Sequence, residues 1–220
     1  MTQETVTKRL RWLSGFFDSD GTIHLKVQKK ENSYYINPAM KITQRGPEYI
    51  AGMVDGDGEI SSLISQVDDH KMDYRIQPHF KVVQTGNSMW NVMKVLESFS
   101  ERNNISYSTR EIKHGNDDWN DGFSFTITEV ESSIKFLNSI NDYLVVKRKQ
   151  ANIMLNEILP RMKQEVHKNK QGFLEIMHWR DVMNSYKGGQ RGKYNLEYFE
   201  DEWNIEIDGS DIENKSVFDY

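Results

Sequence analysis

The sequence predicts an α+β protein built on an antiparallel sheet. Three observations carry that expectation. A ten-residue apolar segment ending in Asp-x-Asp-Gly occurs twice, at residues 12–21 (WLSGFFDSDG) and 49–58 (YIAGMVDGDG), an offset of 37. Each copy is followed by segments in which polar and apolar residues alternate, the period of a half-buried strand. The rest of the chain mixes helical spacing with further short strand-like runs.

The repeat comes first because it sets the unit. The segment Asn37–Gln44 (NPAMKITQ) matches Gln77–Gln84 (QPHFKVVQ), now at an offset of 40. The unit is therefore helix, strand, strand, with three extra residues in the second hairpin. Within each helix small residues fall four apart, Gly15 with Ser19 and Gly52 with Gly56. Residues four apart share one helix face. A stripe of small residues lets two helix backbones approach closely, so these four are the expected pairing positions. Each helix is expected to stop at Asp-Gly, with the glycine in a left-handed conformation.

Two such helices side by side bring Asp20 and Asp57 together. Close carboxylates repel and cannot both stay ionised without a cation. Hard oxygen ligands favour Mg²⁺. Acidic groups that clamp metal ions suit in-line phosphodiester hydrolysis. A calcium loop of the EF-hand type is excluded, because glycine follows the second Asp directly and no Glu lies six residues further on.

The strands supply a polar face. Thr22, His24, Lys26 and Gln28 alternate with Ile23, Leu25 and Val27. Asn37 and Lys41 lie on the polar side of the returning strand. In the second copy Ser61 and Ser65 alternate with Ile60 and Ile64, and Leu63 breaks the pattern. Arg75, Gln77, His79 and Lys81 alternate with Ile76 and Phe80. Such side chains suit base edges and phosphates in the major groove of double-stranded DNA. On alternation alone they equally describe a solvated sheet face.

Composition limits the alternatives. The 220 residues are 37% hydrophobic and contain no cysteine, which removes disulfides, thiolate metal sites and a cysteine nucleophile. No apolar run approaches the ~20 residues of a membrane span. The net charge of −5 is unevenly placed: residues 197–220 hold nine acids and one lysine, and residues 1–196 hold 27 Lys and Arg against 24 Asp and Glu. The tail reads either as a solvated end or as an electrostatic mimic of DNA.

Both ten-residue motifs resemble the LAGLIDADG signature of homing endonucleases. Residues 48–196 are similar in particular to the single-motif, homodimeric members of algal organelles, through FKVVQ (80–84), LVVKRKQANIMLNEILP (144–160) and GFLEIMHWRDVMNSY (172–186). The resemblance implies an αββαββα core whose saddle-shaped sheet lies over DNA. It implies a site-specific, Mg²⁺-dependent endonuclease that cuts a long duplex site. By the resemblance, Asp57 and Asp20 bind metal, joined by the carbonyls of Gly56 and Ser19. Lys147 stabilises charge near the scissile phosphate, and Gln84 and Gln44 position water. Ser88 stands where some relatives carry an assisting arginine. Lys187, Arg191 and Lys193 match a basic loop that touches phosphates, and the same glycine-rich stretch reads as a linker.

The coarse reading agrees. Residues 49–56 read as helix, 59–67 and 74–84 as strands, 87–102 as a helix through Trp90, Met93, Leu96 and Phe99. Residues 105–113 and 122–128 read as strands, and 131–142 and 146–163 as helices. The expected organisation is a partial repeat (1–46), a complete domain (47–163), a helical extension with the basic loop (164–196) and an acidic tail (197–220). The first copy lacks the second half of its domain, including any counterpart of Lys147. If its hairpin runs to Gln44, only Arg45, Gly46 and Pro47 remain to reach the second helix. The sequence reading therefore favours a homodimer paired through residues 49–57, with 1–46 as an appendage. A non-cutting maturase or regulator and an inactive remnant are the alternatives on the same fold. The expected setting is intracellular, with organellar, prokaryotic and phage origins not separated.

Overall fold

The computed structural model describes residues 3–20, 28–30, 33–35, 46–68, 72–86, 89–113, 121–186 and 192–207, with Gln3 and residues 17–20, 28–30 and 33–35 described by backbone alone. Helix α1 (Gln3–Asp20) leads to a short hairpin of β1 (Gln28–Lys30) and β2 (Ser33–Tyr35), paired in register from Gln28↔Tyr35 to Lys30↔Ser33. Then come α2 (Pro47–Asp57), β3 (Gly58–Gln66), β4 (Tyr74–Thr85), α3 (Met89–Arg102), β5 (Ser108–Ile112), β6 (Gly122–Ile127) and α4 (Val130–Ile140). Helices α5 (Arg148–Ile153), α6 (Leu159–Lys163), α7 (Lys170–Ser185) and α8 (Leu196–Trp203) complete the order. From α2 to α4 this is the expected αββαββα arrangement. Among the described residues no helix is long and apolar enough to cross a membrane.

β3, β4, β6 and β5 form one antiparallel sheet in that order. The inward residues Tyr74, Ile76, Phe80 and Val82 of β4 are buried, and the alternate residues are exposed or half-buried. Helices therefore cover one face, where Phe80, Phe125 and Phe136 meet, and the other face stays open. Leu63, the residue that broke the alternation, sits on the open face.

Local chemistry explains the boundaries. Pro47 opens α2 with its φ already helical, and Gly46 accepts the amides of Tyr49 and Ile50. The expected left-handed glycine at the end of α2 is not found: Gly58 is extended, at φ −75° and ψ 140°. The chain passes straight from helix into β3. Gly58 is needed for closeness instead, because a Cβ there would lie 2.7 Å from Val54 Cα. The single helix expected over 146–163 is interrupted by a π-helical turn at Met154–Ile158. Pro160 has no N–H and crowds the carbonyl one turn back, so the helix widens ahead of it. Trp90, expected on the buried stripe of α3, is half exposed and lies over Phe123 with ring centres 4.4 Å apart.

The boundary expected at residue 197 falls inside α8, so a solvated end does not begin there. Asn195 caps α8 by accepting the amide of Tyr198, and Asp181 accepts the amide of Leu196. Phe199 is fully buried among Tyr74, Phe173 and Trp203, all with ring centres 4.9–5.0 Å away. Residues 208–220 lie outside the described part. Phe199→Ala is expected to cost about 3–5 kcal/mol, the scale for a buried aromatic. A scanning calorimeter should record a melting temperature lower by roughly 10 °C, given ~2–4 °C per kcal/mol at this size. Equal melting for Phe199→Ala and the parent chain would contradict the docking of α8.

Candidate active site

Helices α1 and α2 pack against each other within one chain, and glycine makes the contact possible. A Cβ on Gly15 would collide with the carbonyl oxygen of Tyr49, and one on Gly52 with that of Trp12. At Gly52 the added carbon would also meet the Phe16 nitrogen at 2.7 Å. Equivalent positions of the repeat face one another. Gly15 meets residues 49–53, Gly52 meets residues 12–16, and Arg11 reaches Glu48 at 3.7 Å. The two helices therefore run in the same direction, and Asp20 and Asp57 end them on the same side. The side chains of Ser19 and Asp20 are outside the described part, and Gly56 lies in the last turn of α2.

The face of α2 through which the expected homodimer would pair is covered by α1 of the same chain. The geometric objection assumed that the first hairpin runs to Gln44. Residues 36–45, on which that objection rests, lie outside the described residues.

Asp57 is half-buried at the end of α2. Its carboxylate accepts a hydrogen bond from the Gln84 amide, which β4 holds 6% exposed on the helix side of the sheet. Lys147 lies just before α5, and its Nζ donates to the carbonyls of Val54 (2.9 Å), Asp55 (2.6 Å) and Gly56 (3.1 Å). An ammonium there satisfies the last free carbonyls of α2 and opposes the negative end of its dipole. The structure thus gathers Asp57, Gly56, Gln84 and Lys147 at one helix end.

One residue escaped the sequence reading. Asp55, the first acid of Asp-x-Asp-Gly, is 3% exposed. It accepts from Trp12 Nε1 of α1 (3.0 Å) and from the backbone amides of Val145 (2.7 Å) and Lys147 (2.8 Å). A buried carboxylate needs such donors. Here they tie α1, α2 and the segment carrying Lys147 into one unit. An acid inside a run of apolar residues was the available signal.

The open sheet face carries the expected residues of the second copy. Ser61 stands opposite His79, and Ser65 opposite Arg75. Gln77 faces Leu63, and Lys81 faces Glu59. The same face continues onto strands whose residues were given no DNA-binding part from sequence: Thr126 and Ser108 extend the row of Lys81, and Ser124 and Arg110 extend that of Val83. The alternation in STREI (108–112) was the missed signal. Gln28 is described by backbone only, in β1. Thr22, His24, Lys26, Asn37, Lys41, Gln44, Ser88, Lys187 and Arg191 lie outside the described residues. Lys193 is exposed, with its Nζ 5.0 Å from the Tyr194 ring centre.

Comparison with known proteins agrees with this geometry. The family model described as LAGLIDADG endonuclease matches residues 50–159. The DNA endonuclease I-CreI of Chlamydomonas reinhardtii is 27% identical over 140 residues, 60% of this chain and 73% of that protein. The homing endonuclease I-CvuI, crystallised with the I-CreI target in 2 mM Mg with its DNA not cleaved, aligns with a TM-score of 0.56 at 19% identity, over 72% of this chain and 94% of that one. The archaeal intron-encoded homing endonuclease I-Vdi141I, complexed with DNA, aligns at 0.55 and 22% identity, over 73% and 97%. Matched over half its length by the family model and sharing the fold of these enzymes, the chain belongs to the LAGLIDADG endonuclease family.

Proposed function

We propose that this endonuclease cuts a long, specific site in double-stranded DNA as a monomer, with Mg²⁺ held between Asp57 and Asp20. The observation that carries the reading is the α1–α2 pair, which ends both Asp-x-Asp-Gly motifs on one side of a single chain.

The donor set fits a hard divalent ion: a half-buried carboxylate at a helix end, a second carboxylate at the matching end, and the carbonyls of Gly56 and Ser19 beside them. Among the described residues no group of three or more acids or histidines gathers to hold a metal ion. When bound, Mg²⁺ neutralises phosphate charge and activates water for in-line attack. The chain's own groups do the rest. Gln84 holds the Asp57 carboxylate in orientation. Lys147 places a fixed positive charge across the last turn of α2, where the phosphate charge increases during attack. Residues of the open sheet face, with Lys187, Arg191 and Lys193, hold the duplex.

The test is a matched pair of variants, with mass measured by light scattering and plasmid nicking as the assay. Asp20→Asn should be as inactive as Asp57→Asn, and the protein should have the mass of one chain. A dimer in which Asp20→Asn keeps most activity would overturn the monomer. Lys147→Ala should slow single-turnover cleavage by roughly 10²-fold, the scale of losing one preorganised charge-stabilising group. An unchanged rate would leave Lys147 only its part as a helix cap.

A further inference from the structure

Among the side chains described, Trp90 is the one aromatic that is exposed, at 50%. It sits in the first turn of α3, off the buried stripe of Val92, Met93, Leu96 and Phe99. A single exposed apolar residue is common, and by itself it means nothing. The position of this one is what matters. Gln84, whose amide holds Asp57, faces Phe123 across the β4–β6 pair. Directly opposed residues of such a pair point to the same side of the sheet, so the Phe123 ring adjoins the Gln84 side chain. Trp90 lies against that ring, with ring centres 4.4 Å apart and planes inclined by 54°. Asp57, Gln84, Phe123 and Trp90 form one line from the end of α2 to the surface. The turn between β4 and α3 fixes its outer end, because the Gly86 amide donates to the Asp121 carbonyl and the Met89 amide to the Gly86 carbonyl.

With a scissile phosphate at Asp57, the neighbouring part of the same strand meets Trp90. Three parts of a nucleotide are on offer. A phosphate is held by cations and by several donors, and an indole supplies a single N–H. A base in a duplex is reached by inserting a ring between two base pairs, which unstacks them and needs both sides of the ring. One side of Trp90 is taken by Phe123. A deoxyribose presents an apolar C–H surface at the edge of the duplex and needs only the other side. The ring of Trp90 is large and flat, and it is already held in place by Phe123.

We infer that the exposed side of Trp90 packs against the deoxyribose adjoining the scissile phosphate and holds that strand at a fixed height over Asp57. This rests on the proposed function, which puts the cut at Asp57. Trp90 is then a DNA-binding residue that sets the depth of the strand and reads no sequence, because sugar contacts carry none.

The experiment uses the full chain and a duplex recovered by binding selection from a randomised library. Hydroxyl radicals break DNA by attacking exposed sugars, so a radical footprint of the metal-free complex reports the contact directly. The cut position is mapped separately in Mg²⁺. In the parent complex the sugars adjoining the cut should be protected. Trp90→Ala should expose them on one strand and leave the rest of the footprint as it is. Trp90→Phe, which keeps a flat ring over Phe123, should keep the protection. Trp90→Ala should also weaken binding by about 5- to 10-fold, the worth of burying one side of an aromatic ring. Efficient cutting with an unchanged footprint in Trp90→Ala would overturn the inference and leave the proposed function standing. Protection lost evenly along the whole duplex, together with a lower melting temperature, would also overturn it, because the ring would then only support the fold. A duplex whose central sugars are protected by Trp90 but which is never cut in Mg²⁺ would support the contact and refute the cleavage reading.

Discussion

Asp57→Asn is expected to lower single-turnover cleavage by on the order of 10³-fold or more, several kcal/mol of transition-state stabilisation. Specific DNA binding should stay within a few-fold. The substitution removes one charge and almost no volume. Asparagine retains an oxygen that can accept from Gln84, so the link between α2 and β4 survives. Its neighbours also stay anchored, because Lys147 bonds backbone carbonyls and Asp55 holds Trp12 and the amides of Val145 and Lys147. The rows of the open face are formed by other residues and keep their register. What is lost is a carboxylate from a site that needs negative oxygen ligands. Gel-shift titration and plasmid nicking, measured on the same preparation, separate the two effects. Undiminished cutting would remove Asp57 from the mechanism, and loss of binding in parallel with cutting would show a structural part instead.

The residues that announced this site did so by repetition. Asp-x-Asp-Gly recurs with glycine four residues before its middle position, and the structure uses both glycines at one helix crossing. The alternation over β3 and β4 marks the open face, and Leu63, which broke the pattern, lies exposed on that face. The errors share a physical origin, which is that local pattern says little about distant partners. Gly58 was expected to be left-handed because Asp-Gly ends many helices, yet the crowding that demands glycine comes from Val54 one turn earlier. Asp55 was given no part from the sequence, and it is the acceptor for a segment ninety residues away. The residues after 196 looked like a tail because their charge dominates the composition. Their apolar stripe, Leu196, Phe199 and Trp203, is what docks them.

Gly15→Ala is expected to reduce cleavage by about 10²-fold or more and to lower the melting temperature, which inverts the ordinary sign of the substitution. Inside a helix, glycine to alanine normally stabilises by roughly 0.5–1 kcal/mol. Here the new methyl would strike the Tyr49 carbonyl oxygen, lie 2.8 Å from its carbon and sit 3.1 Å from the Met53 nitrogen. All three are backbone atoms of α2, which is buried over most of its length and cannot yield as a flexible side chain would. The helices must separate, and Asp20 moves relative to Asp57. Misplacing a reacting group by about 1 Å is enough to cost ~10²-fold in rate. Gly52→Ala meets the Trp12 carbonyl across the same crossing and should give the same result. The double variant should lose little more than either single one, because both break one interface. If α1 were an appendage to a dimer formed through α2, Gly52→Ala would still inactivate the enzyme and Gly15→Ala would not. Full cleavage by Gly15→Ala, measured at saturating DNA, would therefore exclude the intramolecular pair on which the monomeric active site depends.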